Sequence, residues 1–130
     1  MCTYAGMFEP AVVEAGVDFP KARKPHWCNE CSRAIRVGER YRRCVIFFDG
    51  YARTDRCCAH CEVLRFWVNH ECGSWLYGGA VDALADPDEP GDHQDETSRA
   101  LVAGSRAEWT LPDGSLMPVP ELPDGREVRT

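Results

Sequence analysis

Cys28-Asn29-Glu30-Cys31 and Cys58-Ala59-His60-Cys61 are two C-x2-C pairs, with 26 residues between Cys31 and Cys58. Thiols at that spacing can place two sulfurs on one ion from a tight turn, and two such pairs supply the four ligands of a tetrahedral site. The same thiols could pair as disulfides in an oxidising compartment, or act as nucleophiles beside a positioned base. The choice bears on folding itself, because a small hydrophobic core usually needs a staple.

The neighbourhood of the pairs offers alternatives. Cys57 adjoins Cys58 and makes a C-x3-C with Cys61, while His26 and His60 could each replace a sulfur. Cys2, Cys44 and Cys72 remain; Cys44 falls in a strand-like stretch and reads as a small buried hydrophobe. A second site from Cys44, Cys57, Cys72 and His70 is possible by count but lacks paired spacing. The N-terminal "MCTYAGMFEPAVVEAG" has no basic region followed by an apolar run, and no stretch reaches the roughly 18 apolar residues of a membrane span. A soluble, cytoplasmic protein with reduced or metal-bound cysteines is the expectation.

The elements that must position the pairs can be read from periodicity. "RYRRCVIFF" alternates as a strand from about Arg40 to Phe48, Asp49-Gly50 is a hairpin turn signal, and "YARTDRCC" is the return strand. From Cys58 the period becomes helical: Val63, Leu64, Trp67 and Val68 recur on one face, Glu62 lies in the first turn, and Gly73 is a stop signal. A helix over about Ala59 to Glu71 is predicted. "EPAVVEAGVDF" suits a short helical turn or an edge strand. The order is a turn-borne pair, a hairpin, then a pair at a helix N-terminus, which is a treble-clef zinc finger (knuckle, β-hairpin, α-helix) within a small α+β zinc-stapled domain.

The wording around the pairs extends this. "KARKPHWCNECSRAIRVGERYRR", followed after the turn by "DGYARTDRCCAHC", resembles the small treble-clef or LIM-like zinc-binding proteins of bacteriophage and mobile elements, in which C-x2-C and I-x-x-G-E-x-Y lead through a hairpin to a second pair. The motif here is Ile35, Gly38, Glu39 and Tyr41. The resemblance covers about residues 21–72. It implies one Zn2+ per chain on Cys28, Cys31, Cys58 and Cys61, with Gly38 turning into the hairpin and Tyr41 packing beside the site. Such proteins share no common activity, so the resemblance carries the fold only.

Charge divides the chain of 130 residues. Residues 1–60 hold ten Lys/Arg against seven Asp/Glu, whereas residues 78–130 hold four against twelve. The expected organisation is an N-terminal arm (1–20), a zinc-binding domain (21–77), an acidic mobile linker (78–99) and a short β-rich or extended tail (100–130), acidic and rich in Pro and Gly. "LPDG" occurs twice as a turn candidate, at Leu111–Gly114 and Leu122–Gly125, and Trp109 is the one large anchor able to dock the tail.

Catalysis is not expected. The zinc-deaminase signature is absent, and His70-Glu71 is followed by Cys72-Gly73 rather than completing H-E-x-x-H. Two non-enzymatic classes remain. Lys21, Arg23, Lys24, Arg33, Arg36, Arg40, Arg42 and Arg43, interleaved with Trp27 and Tyr41, could contact DNA or RNA. A protein-binding module is favoured by an expected excess of exposed aromatics (Trp27, Phe47, Phe48, Phe66, Trp67, Trp75, Tyr77) and by the acidic tail. With the resemblance, these suggest a phage-type inhibitor or regulator of a host nucleic-acid machine, of the anti-CRISPR kind or a transcription modulator, acting in the host cytoplasm.

Overall fold

The computed structural model describes residues 13–48, 50–72, 79–84 and 96–122. Its elements are β1 (Val13–Asp18), β2 (His26–Trp27), β3 (Ala34–Ile35), β4 (Tyr41–Phe48), β5 (Tyr51–Cys58), α1 (Ala59–Cys72), α2 (Ala80–Leu84) and α3 (Glu96–Arg106). This is a small α+β arrangement of antiparallel strands and helices around four clustered cysteines.

The expected hairpin is present. β4 and β5 pair from Tyr41↔Cys58 to Phe48↔Tyr51, which leaves a two-residue loop. Gly50 takes a positive φ of 79°, the conformation such a loop needs. Because partners opposite one another share a face, Cys44, Ile46, Asp55 and Cys57 point together to one side and Tyr41 and Cys58 to the other.

Residues 13–18, within the stretch expected to be an arm, add to the sheet as β1, giving the order β1-β4-β5. Of "EPAVVEAGVDF", the described residues 13–18 adopt the edge-strand alternative, and residues 9–12 lie outside the described residues. The register shifts between Ala15 and Asp18, where Gly16 has a φ of 64°, and beyond the shift Asp18 lies opposite Arg43. β2 and β3 form a separate short ribbon carrying the first cysteine pair between them.

α1 begins where the second pair ends its strand. No Ser, Thr, Asp or Asn stands at the N-cap; the Cys58 sulfur takes that place, accepting the Cys61 backbone N–H at 3.5 Å. The helix buries Cys61, Leu64, Trp67 and Val68 on one side. Gly73, expected as its stop, lies outside the described residues.

The chain after α1 departs most from expectation. Ala80 and Leu84, inside the expected linker, are buried one turn apart on α2. The segment 96–106, expected to be linker and extended tail, is the helix α3, which buries Ser98, Leu101, Gly104 and Ser105. Its inward face is mostly small and polar, so a search for large apolar residues at helical spacing passes over it. α3 ends in paired reverse hydrogen bonds, Trp109 N–H to Gly104 O and Glu108 N–H to Ser105 O, with Glu108 and Trp109 both at positive φ. That turn sends the Trp109 ring back into the core. Leu111–Gly114 is the expected turn, closed by Gly114 N–H to Leu111 O; of the second LPDG only Leu122 is described, and it is buried.

Candidate metal centre

Cys28, Cys31, Cys58 and Cys61 are all buried, and their sulfurs lie within 4.8 Å of one another. The two pairs arrive by different routes. Cys28 and Cys31 are set by the turn after β2, where Ser32 N–H bonds Cys28 O and Ser32 is held at a φ of 66°. Cys58 and Cys61 are set by the end of β5 and the first turn of α1.

Backbone N–H groups point at the sulfurs. Cys28 Sγ accepts from Glu30 N–H and from Cys58 N–H, each at 3.4 Å, so the amide of one pair serves a sulfur of the other. The Cys28 thiol is driven far below its usual range by hydrogen bonds from the surrounding cysteines, while Cys31 and Cys61 are driven up by theirs. Against an opposing hydrogen bond with Cys28, those from Cys31 and Cys61 lower the Cys58 thiol to about 6. Two thiolates are thus favoured at the expense of Cys31 and Cys61; four thiolates at this separation need a cation between them. Four converging thiol donors, two of them accepting backbone N–H groups, are the chemistry of a site that could hold a metal ion.

Cys57 does not join the group. Adjacent strand residues point to opposite faces, and Cys57 shares the side of Cys44 and Asp55; burial and then a hydrogen bond to the Cys28 sulfur raise its thiol well above the ordinary range, so it stays a protonated neighbour of the group. His60 also stands outside it, with both ring nitrogens occupied. Its Nε2 faces the Met117 carbonyl, which can only accept, so Nε2 carries the proton; Nδ1 then accepts from Arg33 Nη2 at 3.3 Å. His26 packs against Tyr41, with ring centroids 5.2 Å apart and planes tilted at 45°, instead of joining the sulfurs. Among the described residues no second group of metal donors comes together, and Cys2 and the Cys72 side chain lie outside them.

Glu39 has a role that the motif alone did not disclose. Its carboxylate takes Arg33 through two bonds of 2.7 and 3.0 Å and caps the turn by accepting Arg36 N–H. Burial opposes ionisation of Glu39, but Arg33 and the Arg36 amide outweigh it and hold the carboxyl below its usual range. Arg33 is thereby fixed against His60, which lies between Cys58 and Cys61 in the first turn of α1. Gly38, with a φ of 94°, makes the turn before β4, and Tyr41 is buried beside Cys58.

Trp109 closes the site from the C-terminal side. It is 0% exposed and its Nε1–H donates to Cys61 Sγ at 3.2 Å. α3 makes room for the ring at Gly104: a Cβ there would lie 2.5 Å from Trp109 Cε3 and nearer still to Cζ3. Because the indole is rigid and enclosed, Gly104→Ala is expected to cost about 1–3 kcal/mol in thermal unfolding, the range for overpacking. It should also speed loss of bound metal to a chelator, since the ring that donates to Cys61 is displaced.

A buried ionic cluster ties the first cysteine turn to the helices. Arg65 Nε donates to Glu30 Oε2 at 2.6 Å, and its two terminal nitrogens bond the Asp55 carboxylate at 2.8 and 3.2 Å. Glu30 Oε1 accepts Ala80 N–H at the start of α2. These three side chains are at most 4% exposed. Trp67, expected on the surface, is buried on α1 with its Nε1–H on Ser98 Oγ, because α3 covers that face.

The candidate basic residues divide. Arg33 is buried on Glu39, Arg42 pairs with Glu14 and Glu62, and Arg43 grips Asp18 through two bonds. Lys21, Arg23, Lys24, Arg36 and Arg40 are exposed. Of the expected exposed aromatics Trp27 and Phe47 are exposed and Phe66 is half-buried; Trp75, Tyr77 and the Phe48 side chain lie outside the described residues. Comparison with known families, curated proteins and solved structures finds no match for the chain.

Proposed function

We propose that the protein is a non-enzymatic interaction module stapled by one Zn2+ on Cys28, Cys31, Cys58 and Cys61, built as a treble clef. The convergence of four buried sulfurs, with backbone amides on Cys28 and Cys58, carries this reading. Thiolate softness and a four-donor set suit zinc, and a small core gains most from such a staple. The turn, hairpin and helix N-terminus bring the donors together in the treble-clef order. Four sulfurs close the coordination sphere, and both His60 nitrogens are engaged elsewhere, so this reading leaves no position for a metal-bound water. A role as a phage-type inhibitor of a host nucleic-acid machine would rest on the acid of residues 78–130, most of which lies outside the described residues; the interaction-module reading does not depend on it.

Native mass spectrometry of the purified chain, with and without a chelator, tests the reading. One zinc per chain with the remaining cysteines reduced is the expected result. No metal, with mass losses for disulfides instead, would overturn it.

A further inference from the structure

Residues 21–27 and 34–40 run alongside each other as an irregular two-stranded ribbon. Ala22 exchanges backbone bonds with Gly38 and Glu39, Lys21 bridges Arg40, and β2 pairs with β3. Sides alternate along it: Ala22 and Ile35 are buried, and His26 turns inward to Tyr41. Lys21, Arg23 and Trp27 face out, as do Ala34 and Arg36 on the second strand. Trp27 is 70% exposed and Val37 62% exposed, which is unusual for an indole and a valine with a core close by.

The same ribbon concentrates charge of one sign. Lys21, Arg23, Lys24, Arg36 and Arg40 are exposed, and none of them forms an ion pair among the described residues. Arg40 donates to the Phe19 carbonyl, a neutral acceptor that leaves its charge unmatched. Glu39, the ribbon's own carboxylate, is committed to Arg33.

We infer that this ribbon binds single-stranded nucleic acid, with Trp27 stacking on a base and Lys21, Arg23, Lys24, Arg36 and Arg40 receiving phosphates. A single strand alternates flat π-faces with anions, and the ribbon offers an open indole beside cations over a length of roughly 20 Å. A duplex keeps its bases stacked inside and would leave Trp27 without a partner. An acidic peptide matches the cations but has no face for the indole. The acidic residues elsewhere in the chain compete with phosphate, which makes the binding moderate and salt-sensitive. The inference rests on the module reading in that the metal-held Cys28–Cys31 turn joins the two strands of the ribbon.

The test is fluorescence anisotropy of a labelled dT12 oligonucleotide titrated with the full zinc-loaded chain, beside a duplex of the same length and an oligoglutamate peptide. Saturable dT12 binding at about 50 mM salt is expected, tighter than to either competitor, with a log–log salt slope of about −3. Trp27→Ala and Arg36→Glu should each weaken it about tenfold while leaving metal content and melting unchanged. Absence of saturable dT12 binding, indifference to both substitutions, or preference for the duplex or the peptide would overturn the inference. Metal is counted on the same samples: dT12 binding by a metal-free folded chain would break the module reading instead.

Discussion

Cys58→Ser is expected to abolish cooperative unfolding of the chain near 25 °C, whereas Cys57→Ser leaves a metal-loaded, folded protein. Structural zinc sites contribute apparent free energies of about 10–16 kcal/mol in small finger domains. Whole domains are stable by only about 5–15 kcal/mol. Loss of one ligand from four therefore removes a quantity comparable to the entire stability. Cys58 is also the cap of α1 through the Cys61 amide, and its own amide supports the Cys28 sulfur, so the substitution strikes both pairs at once. Cys57 lies outside the four-sulfur group, and its loss removes a buried thiol that supports the Cys28 sulfur and the Cys58 carbonyl without being one of the four donors. Zinc stoichiometry and near-ultraviolet circular dichroism on heating distinguish the two variants. Retained zinc in Cys58→Ser together with lost zinc in Cys57→Ser would show that the neighbouring sulfur is the ligand.

Arg65→Met is expected to destabilise the fold by about 3–5 kcal/mol, the cost of removing one partner from a buried ionic group. In a domain of this size that lowers the melting temperature by roughly 15 °C or more. The substitution keeps the side chain's length and apolar stem but takes the guanidinium from Glu30 and Asp55, which are almost completely buried. Glu30 lies inside the first C-x2-C turn, so the loss should reach the metal as faster release to a chelator. Arg65→Lys restores charge without the fork that spans both carboxylates and should recover only part of the stability. A melting temperature for Arg65→Met within a few degrees of the parent would mean that the cluster contributes little net stability, as replaced buried pairs sometimes do.

The two C-x2-C pairs, the β4–β5 hairpin and α1 were legible because each rests on a local signal. Cysteine spacing, the strand-like run from Arg40 to Phe48, Asp49-Gly50 and the switch to helical period after Cys58 all lie within a few residues of what they specify. α2 and α3 were not legible for the opposite reason. Their buried positions are Ala80, Leu84, Ser98, Leu101, Gly104 and Ser105, and small or polar residues are buried only where a particular partner lies against them. Gly104 has meaning only once Trp109 is packed on it, and Ser98 once Trp67 Nε1 reaches it.

The sequence by itself determined that four thiols could meet at one centre, since their spacing and the hairpin between them are properties of the local chain. It left open whether Cys57, His26 or His60 stood in for a sulfur. That choice belonged to the tertiary structure. Strand alternation turned Cys57 to the opposite face, Arg33 and Met117 engaged the two nitrogens of His60, and Tyr41 took the face of His26. Arginines of one type were likewise separated only in three dimensions: carboxylates distant in sequence engaged Arg42, Arg43 and Arg65, and the ribbon left Arg36 exposed. The physical reason is the same in each case. A side chain's chemistry depends on which groups satisfy it, and those groups come from elements that only folding brings together.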